Sequence, residues 1–246
     1  MRTLIWYCYF WGYMLLHWPS LHKGMKAYKA GDWKTCDALA GQHVPRWANT
    51  LLRLAGVTVE VHGRENIPTD RACVFALNHR SYYDIPMVLT QLGRPYGLVA
   101  KKELDAIPLV RGWMRLLHCV FLDRDDPRKA MTALNQAIDN VKKGYSMAIF
   151  PEGTRNKGEE GTVLEFKGGA FRIATKAKAP VVPIAMTGTR DIMENHHMLM
   201  HPAHVVIRIL PPIETAGLTR EEIKALPEQT AQLIRQNLEP NRQGEN

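Results

Sequence analysis

Cysteine is scarce and scattered: Cys8, Cys36, Cys73 and Cys119 form no C-x-x-C pair. That spacing supports neither a disulfide framework nor a thiolate metal site, and it fits a reducing compartment. There is no internal repeat and no low-complexity tract, so a repeat array and a disordered chain are both excluded. No G-x-S-x-G elbow is present, which removes the usual setting of a serine nucleophile. A nucleotide P-loop is absent as well: Gly153-x4-Gly158 has the spacing, but Glu159 stands where lysine is required. What remains is a chain of 246 residues, 46% hydrophobic and 23% charged. Such a chain can build one large α/β domain or two small ones around a real core. Disorder is expected only at the polar end "NRQGEN".

The net charge is +8, and much of it is concentrated at one end. Residues 1 to 53 carry Arg2, Lys23, Lys26, Lys29, Lys34, Arg46 and Arg53 against Asp32 and Asp37. A basic surface attracts nucleic acid, anionic lipid or an acidic carrier protein. The neighbouring residues favour lipid. From Leu4 to Trp18 the chain is apolar except for Gly12 and His17, and it carries Trp6, Tyr7, Tyr9, Phe10, Trp11, Tyr13 and Trp18. A helix over that run is about 22 Å long, short of the roughly 30 Å hydrocarbon core. Trp and Tyr prefer the headgroup level, and Lys23, Lys26 and Lys29 follow at helical spacing. The expectation is an interfacial helix. A spanning or signal-anchor helix, a signal peptide, and an apolar helix buried on its own domain are the competing readings. "AGD" at 30–32 breaks this helix, and a second runs from Trp33 to Ala55, bent at Pro45 and ended by Gly56. The chain is therefore expected to divide into a two-helix membrane-docking segment, 1–56, and a catalytic domain, 57–240.

From Val57 onward, short apolar runs alternate with helical stretches. Strands are expected at 57–63, 72–77, 96–100, 119–122, 146–150, 181–187 and 204–210. Helices are expected near 84–92, 108–117, 127–143, 167–178 and 218–238, the last opened by Thr219 with Glu222 three residues on. Continuous apolar strands between helices predict an α/β fold: a largely parallel sheet of about seven strands, covered on both faces. Pro183, inside an apolar run, predicts an edge strand or a bulge. Ligands of such sheets bind beyond the carboxyl ends of the strands.

The polar clusters fall there. "NHRSYYD" places His79 after a strand and Asp84 five residues later, near a helix start that Pro86 favours. A turn could bring the carboxylate to the imidazole, fixing its tautomer and leaving one nitrogen free as a base. Against this stands the plain reading of a surface histidine and a capping aspartate. "FPEGTRNKGEEG" follows another strand, and its glycines permit an anion-binding turn. Lys101, Arg124 and Arg155 each come directly after a strand or in the turn that follows one, where three cations could meet one phosphate. His196, His197, His201 and His204 cluster as a metal set would, but they have no paired carboxylate or cysteine pattern.

"NHRSYYD", "KKELDAIP…FLDR", "FPEGTR" and "VVPIAM" occur in this order at spacings that resemble those of the glycerolipid acyltransferases, and among them the lysophosphatidate acyltransferases. The resemblance covers about residues 57 to 210. It implies acyl transfer from acyl-CoA or acyl carrier protein to the free sn-2 hydroxyl of 1-acyl-glycerol 3-phosphate, making phosphatidate, with no cofactor or metal. It implies His79 as general base, Asp84 as its orienting partner, and Lys101, Arg124 and Arg155 as phosphate ligands. Glu152, Gly153 and Thr154 would shape the acceptor pocket, and Pro183 would lie near the donor site. The partners implied are lysophosphatidate, the acyl donor and an anionic membrane surface, but no nucleic acid. The place implied is the cytoplasmic face of the cell membrane, as a peripheral or monotopic protein. Two other readings stay open: another acceptor, such as glycerol 3-phosphate or a different lysophospholipid, and a catalytically silent lipid-binding protein.

Overall fold

A computed structural model describes residues 1–93 and 96–238. The expected tail 241–246 and the last two residues of the expected catalytic domain lie outside the described residues. Three helices come first: α1 (Arg2–Leu16), α2 (Trp18–Ala30) and α3 (Trp33–Ala55). They are followed by β1 (Val57–His62), β2 (Val74–Leu77), α4 (Asp84–Gln91), β3 (Gly97–Lys101), α5 (Pro108–Leu116) and β4 (Val120–Leu122). Then come α6 (Pro127–Lys142), β5 (Met147–Ile149), α7 (Gly168–Ala177), β6 (Val181–Thr187), β7 (Ala203–Ile209) and α8 (Arg220–Asn237). Every expected strand is present, with ends shifted by at most two residues.

The amino-terminal segment differs from expectation. It folds as three helices rather than two, because the first breaks at His17. Pro19 is the physical reason. It has no N–H to give, and its ring clashes with a carbonyl one turn back, so a proline kinks or breaks a helix. It is tolerated in the first turn of α2. The break at Gly31 is as expected: Gly31 is left-handed, and Asp32 caps α3 by accepting from the Thr35 amide at 3.1 Å. α1 then packs along α3. Trp6 Nε1 donates to Leu51 O at 3.2 Å, and the Tyr13 hydroxyl donates to His43 O at 3.1 Å. One face of α1 is thus committed to protein, while Leu4, Ile5, Trp11, Leu15 and Leu16 stay exposed. Among the described residues no helix is long and apolar enough to cross a membrane.

The sheet runs in the order β1-β7-β6-β2-β5-β3-β4. Among the described residues, the β6–β7 pairing is the one antiparallel pairing between its seven strands. Alternation along a strand sends neighbouring residues to opposite faces. On β2, Phe75 and Leu77 join the core under α1–α5, whereas Val74 and Ala76 join the core under α6–α8. Burial of each such large side chain contributes about 1.5–3 kcal/mol. Pro183 lies in β6, an interior strand, so the edge expectation fails and the bulge explains it. Val181 bridges Ile213 and Ile184 pairs with Ile209, so two residues of β6 face three on the other side. A bulge relieves the ladder of the missing proline N–H.

β2, β5, β3 and β4 are contiguous and mutually parallel, so their carboxyl ends share one rim. β6 runs parallel to β2 and ends on the same rim.

Candidate active site

The rim gathers the segments after β2, β3, β4 and β5. The turn after β2 is short because Asp84 closes it. Asp84 is fully buried, and its Oδ2 accepts from His79 Nδ1 at 2.7 Å, the Arg80 amide at 2.7 Å and the Ser81 amide at 2.9 Å. With that acceptor in place, His79 carries its proton on Nδ1, and Nε2 presents a lone pair. The His79 side chain keeps 19% of its surface exposed, enough to meet a ligand. Its ring stacks on Phe150 with centroids 4.2 Å apart. Either side is anchored: the His79 amide donates to Glu152 Oε1 at 2.6 Å, and the Asn156 amide donates to His79 O at 2.7 Å.

Glu152 is buried and does not line the cleft. Its other oxygen accepts from the Leu164 amide at 2.9 Å. Burial raises its carboxyl above the usual range, and these two N–H bonds offset only part of the rise. Its part is to tie the "FPEGTR" turn to the histidine turn. Gly153 has φ +73, which a side chain adopts with strain, and its missing side chain leaves room for Arg124 and Lys167. Arg124 donates to Gly153 O.

Lys101, Arg124 and Arg155 line the same cleft as His79, with Gly153 and Thr154. The Lys101 ammonium forms no hydrogen bond or ion pair with the described residues, and the residue is exposed. Lys102 turns away, to Asp123 at 2.8 Å and Asp125 at 2.7 Å, and these bonds hold its ammonium above the usual range. The Arg155 guanidinium lies 3.6 Å from the Tyr82 ring centre. The cleft has a volume of about 710 Å³ and continues away from the cations between Trp6, Phe10, Trp47, Leu89 and Trp113. It is a pocket with three cations, the imidazoles of His79 and His43, and a largely apolar interior. Pro183 is buried in the sheet and does not line it. Among the described residues no group of His, Cys, Asp and Glu could hold a metal ion. Of the four clustered histidines, His196 and His201 stack on each other at 3.9 Å, and His204 pairs with Glu60 instead.

The family described as Acyltransferase matches residues 58–187, more than half of the chain. The chain belongs to the acyltransferase family. It is 34% identical over 199 residues to a 1-acyl-sn-glycerol-3-phosphate acyltransferase of Saccharomyces cerevisiae, covering 76% of this chain and 64% of that one. It is 43% identical over 136 residues to a chloroplastic enzyme of the same name from Brassica napus, covering 54% of this chain and 38% of that one. The chain thus spans less than two thirds of either curated relative. A crystal structure of the 1-acyl-sn-glycerophosphate acyltransferase of Thermotoga maritima superposes with a TM-score of 0.74 at 28% identity, covering 96% of this chain and 95% of that one.

Several residues that build this candidate site have no part that the sequence reveals. Asn78 clasps β6, its amide donating to Met186 O and its oxygen accepting from the Met186 amide, both at 2.8 Å. Arg80 looks like a fourth free cation in the sequence, yet it is buried, paired with Glu160 at 3.0 Å, and donates to the carbonyls of Gly158 and Glu159. Glu194 reaches the histidine turn from beyond β6. Asn78 and Arg80 stood inside the quoted motif; nothing in the sequence marks Glu194.

Proposed function

We propose that this chain transfers a fatty acyl group from acyl-CoA or acyl carrier protein to the sn-2 hydroxyl of 1-acyl-glycerol 3-phosphate, releasing phosphatidate. One observation carries the reading: a His–Asp pair sits where a three-cation mouth meets a long apolar cavity. That combination suits a molecule with a phosphate, an alcohol and a fatty chain. The relatives that bear this activity by name support it.

His79 Nε2 takes the proton of the sn-2 hydroxyl as that oxygen attacks the thioester carbonyl carbon. Asp84 holds the ring and stabilises the imidazolium that forms. The tetrahedral intermediate collapses, the carbon–sulfur bond breaks, and the thiolate leaves with the proton from His79. A positioned base of this kind contributes about 10²–10⁴ in rate. Lys101, Arg124 and Arg155 hold the phosphate, and Glu152, Gly153 and Thr154 give the mouth its shape. Transfer is direct, without an acyl-enzyme: Ser81 Oγ, two residues along from His79, donates to Glu194 at 2.8 Å and is not bonded to His79. Neither metal nor cofactor takes part in these steps.

The same reading assigns residues 1–56 to docking and residues 57–240 to transfer. Exposed Leu4, Ile5, Trp11, Leu15 and Leu16, with Lys23, Lys26 and Lys29 on α2, form the face that meets an anionic membrane. The location that goes with this reading is the cytoplasmic face of the cell membrane, as a peripheral or monotopic enzyme. Leu15→Glu with Leu16→Glu should weaken binding to anionic vesicles; unchanged binding would remove the docking assignment.

The transfer assay pairs palmitoyl-CoA, then acyl carrier protein, with lysophosphatidate, glycerol 3-phosphate and lysophosphatidylcholine. Phosphatidate from the parent, lost in a folded His79→Ala variant, is the expected result. Turnover of another acceptor alone would keep the mechanism and remove the substrate. No turnover of any acceptor would leave a lipid-binding protein.

A further inference from the structure

Glu194 stands outside every motif read in the sequence, in the short turns that follow β6. Its side chain is only 12% exposed. Three groups converge on its carboxylate. Ser81 Oγ donates to Oε2 at 2.8 Å, the Tyr82 amide donates to Oε1 at 2.8 Å, and Arg155 Nη1 lies 3.5 Å from Oε1. The Ser81 hydroxyl also accepts from the Tyr83 amide at 2.9 Å, which directs its own proton to Glu194.

The turn between His79 and Asp84 is therefore gripped from two sides. Asp84 takes the amides of Arg80 and Ser81, while Glu194 takes the Ser81 hydroxyl and the Tyr82 amide. Arg155 is fixed by the same two neighbours, lying over the Tyr82 ring with one edge toward Glu194. Its remaining N–H groups are left for another anion. A carboxylate beside a proposed phosphate site lowers the positive charge there, so attraction for the acceptor cannot be its use. A mostly buried charge needs partners, and all of its partners belong to the site.

We infer that Glu194 is a positioning residue, which holds the His79–Asp84 turn and aims Arg155 at the acceptor's phosphate. The inference rests on the acyl-transfer reading above. Glutamine at this position keeps a carbonyl oxygen for the Tyr82 amide and an amide N–H for Ser81 Oγ, but it removes the charge beside Arg155. Alanine removes everything.

The test compares Glu194→Ala, Glu194→Gln and Ser81→Ala with the parent, each checked for folding by circular dichroism. Two quantities are read: kcat with palmitoyl-CoA and lysophosphatidate, and the Kd of a 2-deoxy lysophosphatidate, which lacks the reacting hydroxyl. A loosened turn misplaces the base, so Glu194→Ala should lose at least about tenfold in kcat. Its Kd should rise about fivefold, as expected when one charged hydrogen bond is misdirected. Glu194→Gln should regain kcat to within about threefold of the parent while its Kd stays raised. Ser81→Ala should lower kcat and leave Kd in place. Parent-like kcat and Kd in Glu194→Ala would overturn the inference, as would equal losses in the alanine and glutamine variants. If Glu194→Ala does not fold, an unchanged Kd in Glu194→Gln overturns it. A parent that binds the analogue but acylates nothing sinks the acyl-transfer reading, and the positioning of the turn with it.

Discussion

Asp84→Asn isolates what the buried carboxylate does for His79. The three donors that meet on Asp84 Oδ2 are His79 Nδ1 and the amides of Arg80 and Ser81. Oδ1 has no partner. The two backbone amides will therefore hold the asparagine carbonyl oxygen where Oδ2 was, and turn its NH2 to the vacant side. The histidine tautomer survives, and only the negative charge is lost. Two unit charges about 4 Å apart at an effective dielectric of about 20 interact by about 4 kcal/mol. At about 1.4 kcal/mol per tenfold, that is roughly 10³ in the step that forms imidazolium. The retained hydrogen bond keeps part of this, so kcat should fall about 10²–10³-fold with KM for lysophosphatidate unchanged. The buried NH2 without an acceptor should cost about 1–3 kcal/mol of stability. Initial rates of phosphatidate release across acceptor concentrations measure the first effect, and urea unfolding the second. A kcat within about tenfold of the parent would refute the claim that this charge supports the base.

Lys101→Ala should raise KM for the acceptor about tenfold or more, while Lys102→Ala should change it little; the reverse order in steady-state kinetics would reassign the phosphate ligand. Burial, with His17 and Arg46 adding to it, holds His43 below the ordinary histidine range. The unfolded chain therefore takes up a proton there before the folded one does, so stability present above about pH 6.5 is lost as pH falls below it. Melting temperatures at pH 7.5 and 5.5 should diverge less in His43→Leu than in the parent. Thr219 opens α8 with a capping box, its hydroxyl accepting from the Glu222 amide. Thr219→Ala should cost about 1 kcal/mol in urea unfolding with kcat unchanged.

Much of the architecture is local in origin, and so it is legible along the chain. The seven apolar runs, the turns between them and the helix caps at Asp32 and Thr219 depend on neighbouring residues. The His79–Asp84 pair is local too, since five residues and one tight turn join its members. Pro19 was also a local signal: a proline that ends α1 two residues early is as readable as Gly31, and reading it would have given three helices.

What the sequence could not decide lies in contacts between distant segments. Which of Lys101 and Lys102 faces the cleft depends on Asp123 and Asp125, brought alongside by the β3–β4 pairing. Whether Pro183 marks an edge or a bulge depends on the offset between the Val181 bridge and the β7 ladder. The apolar run of α1 can be read as a lipid-facing helix, yet Trp6 and Met14 are buried in protein because α3 lies alongside. Glu194 stands more than a hundred residues from the turn it grips and carries no motif of its own. Periodicity, capping and turn chemistry act over a few residues and are written in order along the chain. Register, packing partners and the convergence of charges are set by which strands become neighbours, and only the folded sheet decides that.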